Sequence, residues 1–189
     1  MNTRDKLILV CEEIAIKKGR GFYNLSMEEL AMEAGISKRT IYRHFDSKEK
    51  LIEMTIQEIM NKIMAKNMEL ADSEKDIEEI IVGVLKNAAY LVNQQVILDL
   101  GKHYPLLWQK IDKMRQSKIE FLITTIFSNS KVKLRWRVDP GIFRASFLAA
   151  MTAVLNPSFI WENGLTFEEA GKSFLNMFLF GAVERVEEE

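Results

Sequence analysis

Residues 26–51 read Ser26-Met27-Glu28-Glu29-Leu30-Ala31-Met32-Glu33-Ala34-Gly35-Ile36-Ser37-Lys38-Arg39-Thr40-Ile41-Tyr42-Arg43-His44-Phe45-Asp46-Ser47-Lys48-Glu49-Lys50-Leu51. Ser26 followed three residues later by Glu29 is a capping box: the hydroxyl takes one free backbone N–H and the carboxylate reaches back to another. Met27, Leu30, Ala31 and Ala34 recur at helical spacing and form an inward stripe. Gly35 suits the left-handed residue that closes a helix, and Ile36 can pack back on the stripe. Ser37 caps a second short helix. Asp46, with Glu49 as its partner, is expected to cap a third. Two short helices across a tight turn, followed at once by another helix, make a helix-turn-helix.

On the second of these helices only Ile41 and Phe45 are clearly apolar, so it touches a core through a narrow seam. At about 100° per residue, Arg39 and Arg43 point away from Ile41. Lys38 and Tyr42 share one flank, Thr40 and His44 the other. Arginine can bond a guanine edge in a bidentate way, and threonine can meet a base edge or a thymine methyl. Lysine, tyrosine and threonine also suit phosphate oxygens. Lys48 falls in the first turn of the third helix, where its ammonium and the free N–H groups can together hold a phosphate. A charged face is more often merely solvated. Here the caps, the small-residue turn and the polar face coincide at one spacing, and together they point to the major groove of double-stranded DNA.

The run from Ser37 to Leu51 resembles the recognition-helix signature of the TetR family of bacterial transcriptional regulators, a Tyr-x-His-Phe core followed by Lys-Glu-x-Leu. Met27 to Gly35 is similar to that family's first helix-turn-helix helix, and Leu7 to Gly19 to its leading helix. The resemblance implies an all-α homodimer with an N-terminal DNA-binding head over residues 1–47. Residues 48–189 would form a helical domain for dimerisation and a small-molecule effector. Carried over residue by residue, it implies DNA-facing roles for Ser26, Ser37, Lys38, Arg39, Thr40, Tyr42, Arg43, His44 and Lys48.

A chain of 189 residues can bury one sizeable core or two. It is 48% hydrophobic and 28% charged, as soluble globular proteins are. No regular apolar–polar alternation marks a sheet. The formal net charge is −1, whereas a protein that coats nucleic acid would be far more basic. DNA-facing charge must therefore be local, and Lys38 to Arg43 supplies it, while acids gather at residues 74–79 and in Glu187-Glu188-Glu189. Cys11 is the only cysteine, and its place among Leu7, Ile14 and Ala15 predicts a buried thiol. The two histidines, His44 and His103, fall in no Glu-x-x-His pair, and no phosphate loop, zinc spacing or nucleophile motif is present. The expectation is a regulator with no cofactor or metal site, not an enzyme. The apolar runs at 7–11 and 145–155 are too short for a secretory signal or a membrane span, so the expected place is the cytoplasm, with no membrane partner.

From Leu51 the helical pattern continues to about Leu70, with Ser73 as a candidate cap for the next helix. Gly101 and Tyr104-Pro105 mark a break, residues 129–138 a loop, and Asp139-Pro140 a clear helix start. Asn156-Pro157 ends that helix, and Thr166 with Glu169 opens the last one, apolar through Val183. These last two helices are too apolar for one solvated face. Ala149, Ala153, Phe174, Met177, Phe178 and Gly181, helped by small residues such as Ala170 and Gly171, are expected to form a two-fold, four-helix dimer interface. Tyr104, Leu107, Trp108, Phe121, Phe143, Phe147, Met151 and Trp161 are candidates to line a pocket for a mainly hydrophobic effector. Asp99 and His103 are among the polar groups that could orient it. Such a ligand would release DNA by favouring a non-binding arrangement.

Overall fold

Asn2 starts the first helix by accepting the Asp5 N–H at 2.9 Å. In the computed structural model, which describes residues 1–90, 94–128 and 134–185, helix α1 spans Thr3–Glu12 and widens into a π-helical turn over Glu13–Lys17. There the Lys18 N–H reaches the Glu13 carbonyl at 2.9 Å. Helix α2 covers Met27–Ala34, with the Glu29 N–H on Ser26 Oγ at 3.0 Å. The Glu29 carboxylate pairs with the Arg20 guanidinium, so only the serine half of the expected reciprocal cap is made as drawn. Gly35 sits at φ 64°, and the Ile36 N–H closes back on the Ala31 carbonyl at 3.0 Å. Helix α3, Lys38–His44, is capped by Ser37, whose Oγ accepts the Thr40 N–H at 3.1 Å. Helix α4, Lys48–Ala71, starts later than expected: Ser47, not Asp46, takes a first-turn donor, the Lys50 N–H at 3.1 Å.

The chain forms two compact units. The first comprises Met1–Lys62 and Leu91–Arg115. Besides α1 to α3 and the start of α4, it includes helix α6, Gln94–His103, and the first part of α7, Pro105–Ser128. Proline opens α7, as expected. Gly101 lies inside α6 and breaks nothing; the chain turns at Tyr104. Leu7, Cys11, Leu30, Ile41 and Leu51 are fully buried. Burial pushes the Cys11 thiol up to about 12.

The second unit comprises Ile63–Tyr90 and Gln116–Glu189. Helix α5, Ile77–Ala89, is capped by Asp76, which accepts the Glu79 N–H at 2.9 Å. Ser73 instead donates to the Leu70 carbonyl at 2.6 Å. Asp139 opens α8, Pro140–Val154, accepting from the Gly141 and Ile142 amides at 2.8 and 3.0 Å. Helix α9 spans Pro157–Glu162 and α10 Phe167–Ala182. At the start of α10 the Thr166 and Glu169 box is fully reciprocal: Thr166 N–H reaches Glu169 Oε2 at 2.8 Å, and Glu169 N–H reaches Thr166 Oγ1 at 3.2 Å.

Among the described residues the fold is all-α apart from one short ribbon. Strand β1, Leu134–Trp136, pairs antiparallel with β2, Val183–Arg185, with Leu134 opposite Arg185 and Trp136 opposite Val183. This replaces a loop over residues 134–136 and the helical end expected at Val183. Three residues per strand are too few for period-two patterning to register. Helices α5, α8 and α9 all contact α10. The core joins Ile77, Ile80 and Ile81 to Phe143, Phe147, Met151 and Phe174. Gly171 faces Leu85: a Cβ there would lie 2.7 Å from Leu85 Cδ1. Ala170 and Gly171 are buried, so these small residues permit close packing inside the protomer, not between protomers as expected. Among the described residues no helix is long and apolar enough to cross a membrane. The acidic run Glu187-Glu188-Glu189 lies outside the described residues.

Candidate nucleic-acid interface

Helix α3 is anchored by the two residues its sequence singled out: Ile41 is 0% and Phe45 2% exposed. A seven-residue helix anchored only through that seam leaves most of its circumference outside. Ser37, Lys38, Arg39, Tyr42 and Arg43 are exposed, Thr40 half-buried. Ser37, Arg39, Thr40, Tyr42 and Arg43 line one shallow, open concavity. Ser26 is also exposed, at the cap of α2. The hydroxyls of Ser37 and Thr40 lie 2.9 Å apart.

Two expected contacts are drawn toward the fold. His44 is half-buried, and its Nε2 is shielded from solvent without a hydrogen-bond partner in the protein. That atom is not part of the outward surface. The Lys48 Nζ donates to the Tyr23 carbonyl at 2.9 Å and lies 5.9 Å from the centre of the Tyr104 ring. Burial holds the Lys48 ammonium below its ordinary pKa. The ammonium thus rests on Tyr23 and Tyr104 at the start of α4.

Lys38 is paired with Glu28 of α2, which holds the carboxyl below and the ammonium above their usual ranges through that hydrogen bond. Both groups are well exposed, so water and salt screen the pair and it opens readily. Arg39 and Arg43 thus supply the outward charge, with Lys38 in reserve. Arg4 was not singled out by the sequence; its guanidinium lies 5.8 Å from the Phe45 ring, beside the end of α3. Only the pattern of a basic residue in the first turn of the leading helix could have flagged it.

The residues proposed for an effector fall in both units. Tyr104, Leu107 and Trp108 belong to the first unit, and Phe121, Phe143, Phe147, Met151 and Trp161 to the second. Phe143, Phe147 and Met151 are buried in the core, and Phe147 lies 4.8 Å from Phe174 ring to ring. Phe121 is 57% exposed. Burial raises the Tyr104 hydroxyl to about 12. Asp99 and His103 meet Tyr23 within the first unit: Asp99 accepts the Tyr23 N–H, and His103 stacks on the Tyr23 ring. Of the expected dimer face, Ala149 and Ala153 are exposed and Met177 is 61% exposed. Phe174, at 2%, is core of its own protomer, and Phe178 is half-buried against the same aromatic cluster. The side-chain surroundings of Trp161 and Gly181 lie outside the described residues.

Residues 18–55 match the profile of the bacterial regulatory proteins of the tetR family. The chain is 22% identical, over 97% of both proteins, to the uncharacterized HTH-type transcriptional regulator YvaF of Bacillus subtilis. Its fold is similar to that of E. coli NemR in reduced form, with a TM-score of 0.66, 17% identity, and coverage of 94% of this chain and 98% of that one. It is also similar to Bacillus subtilis FadR in complex with stearoyl-CoA, with a TM-score of 0.60, 14% identity and the same coverage.

Proposed function

Because the chain belongs to the TetR family of bacterial regulatory proteins and is a DNA-binding transcriptional regulator, we propose that it represses transcription as a homodimer on a palindromic operator. One observation carries the reading. The α3 face opposite Ile41 and Phe45 offers Arg39, Tyr42, Arg43 and the Ser37–Thr40 hydroxyl pair on one open surface. Arg39 and Arg43 take base edges or adjacent phosphates, while Ser37, Thr40 and Tyr42 fix the register on the backbone. Lys38 exchanges Glu28 for phosphate on binding. A single seven-residue helix reads few bases, and two of them about one helical turn (~34–36 Å) apart read a palindrome.

The pairing surface we propose is the exposed side of α8, with Ile142, Ala145, Ala149 and Ala153 at helical spacing, together with Met177 of α10. A small, mainly hydrophobic effector then releases DNA. The phenylalanine- and methionine-rich core of the second unit and the stearoyl-CoA bound by the structurally similar FadR support this. To reach that core a ligand must part Phe143, Phe147 and Met151, so its entry is tied to a change of packing. The same close packing supports a second reading, an effector-independent DNA-binding dimer. Arg43→Ala tests the DNA site. Operator affinity is expected to fall by ~1–3 kcal/mol with relaxed sequence preference, measured by fluorescence anisotropy. Affinity equal to that of the parent sinks the assignment.

A further inference from the structure

With histidine neutral, the stretch that builds α2 and α3 carries no net charge. Over residues 26–45 the carboxylates of Glu28, Glu29 and Glu33 equal in number the cations of Lys38, Arg39 and Arg43. The attraction this motif offers a polyanion therefore depends on which acid lies on which base. Glu29 pairs with Arg20, outside the stretch. Glu28 reaches from the first turn of α2 to the first residue of α3, where its carboxylate accepts from the Lys38 ammonium.

That placement sets the pair beside the DNA-reading surface. Lys38 stands between Ser37 and Arg39, both of which line the open concavity of α3. The Lys38 side chain is 46% exposed and that of Glu28 67%, so an approaching phosphate can reach the ammonium and displace the carboxylate. An acid in the first turn of a helix is favoured by the helix dipole, which accounts for acids at positions 28 and 29. It does not account for one that lies on a cation of the neighbouring helix. One ammonium charge cannot offset both a carboxylate and a phosphate in full.

Resting on the DNA-binding reading above, we propose that Glu28 is an autoinhibitory residue of the α3 face: its carboxylate competes with DNA phosphate for Lys38 and lowers affinity for every duplex. When phosphate takes Lys38, the pair is broken and Glu28 is left without its cation beside a polyanion. Both effects oppose binding. Neither involves a base, so the brake acts on the sequence-independent, electrostatic part of affinity. The regulator then holds DNA less tightly than Lys38, Arg39 and Arg43 would allow unopposed.

The test measures the affinities of the full-length parent, Glu28→Gln, Lys38→Met and the double variant by fluorescence anisotropy at about 50 mM salt. Two duplexes are used, one that the parent selects from a random pool and a scrambled sequence of the same length. Circular dichroism establishes that each variant is folded. Glu28→Gln removes the charge and keeps the size of the side chain, and it should bind both duplexes more tightly than the parent. In the Lys38→Met background the same change relieves only the stranded carboxylate. Its gain there should be smaller by about 1.5- to fivefold, the range of exposed ion pairs. The difference between the two gains is the coupling of the two residues, and it should shrink as salt rises to about 200 mM. Equal gains in both backgrounds, a gain confined to the selected duplex, or no gain in Glu28→Gln overturns the proposal and leaves DNA binding by Arg39 and Arg43 intact. A parent that binds neither duplex in a salt-dependent way overturns the DNA-binding reading and the proposal with it.

Discussion

Gly21→Ala and Gly35→Ala are the same chemical change at two left-handed positions, φ 73° and φ 64°, yet they should differ in effect. At Gly35 a Cβ meets nothing within 4 Å. The penalty is then the backbone strain of an alanine in that region, ~1–2 kcal/mol. At Gly21 the same strain applies, and the new methyl lands 2.2 Å from Asp99 Oδ2 and 2.7 Å from Gln95 Cγ. A flexible carboxylate would normally swing aside. Asp99 is 3% exposed and bonded to Tyr23 and Gln95, so it moves only by breaking those bonds. A lost hydrogen bond to a buried charged group adds ~1.5–3 kcal/mol. Gly21→Ala should therefore destabilise by ~2.5–5 kcal/mol in all. Urea unfolding followed by circular dichroism reads the difference directly, with the m-value as a check that the denatured state is unchanged. A Gly21→Ala variant as stable as Gly35→Ala would show that Asp99 does not hold the position described, and the account of Tyr23 would fail with it.

Ala149→Glu and Met177→Glu place carboxylates on the proposed pairing surface, where an unpaired buried charge costs ~3–5 kcal/mol. Sedimentation should show a dimeric parent and largely monomeric variants with lost operator affinity, and dimers that persist would move the interface elsewhere. Cys11 should resist thiol reagents in the native protein at pH 8 to 9 and react fully once unfolded. Burial raises its native pKa to about 12 from an ordinary 9.0. Between those values the unfolded chain has given up the proton that the native one keeps, so stability should fall as pH rises through the window. A thiol modified at the same rate in both states would contradict the burial.

The head was legible in the sequence because each of its devices is local. The stripe of Met27, Leu30, Ala31 and Ala34, the turn at Gly35 and the seam of Ile41 and Phe45 need only neighbours a few residues away, and all lie where the spacing puts them. Asp139 with Pro140 and Thr166 with Glu169 succeed for the same reason. What escaped the reading depends on contacts distant in sequence. The bond of the Lys48 ammonium to the Tyr23 carbonyl, 25 residues earlier, leaves no mark in the spacing. Nor does the meeting of Asp99 and His103 with Tyr23, 76 residues before Asp99. Phe174 and Gly171 are apolar and small enough for an interface, and only the neighbouring side chains Phe147 and Leu85 assign them to the protomer's own core. The β1–β2 pairing joins residues about 50 apart through strands too short to leave a pattern.

The central claim is that the outward face of α3 reads DNA, once per protomer of a two-fold pair. Selection of duplexes from a random pool by the full-length protein, followed by sequencing of those retained, puts it to the most direct test. An enriched inverted repeat is the predicted result, its half-sites centred about 10–10.5 base pairs or a multiple of that apart, and the enrichment should be lost when Arg39 and Arg43 are both replaced by alanine. Retention without any enriched sequence, or the same enriched sequence from the doubly substituted protein, would contradict it.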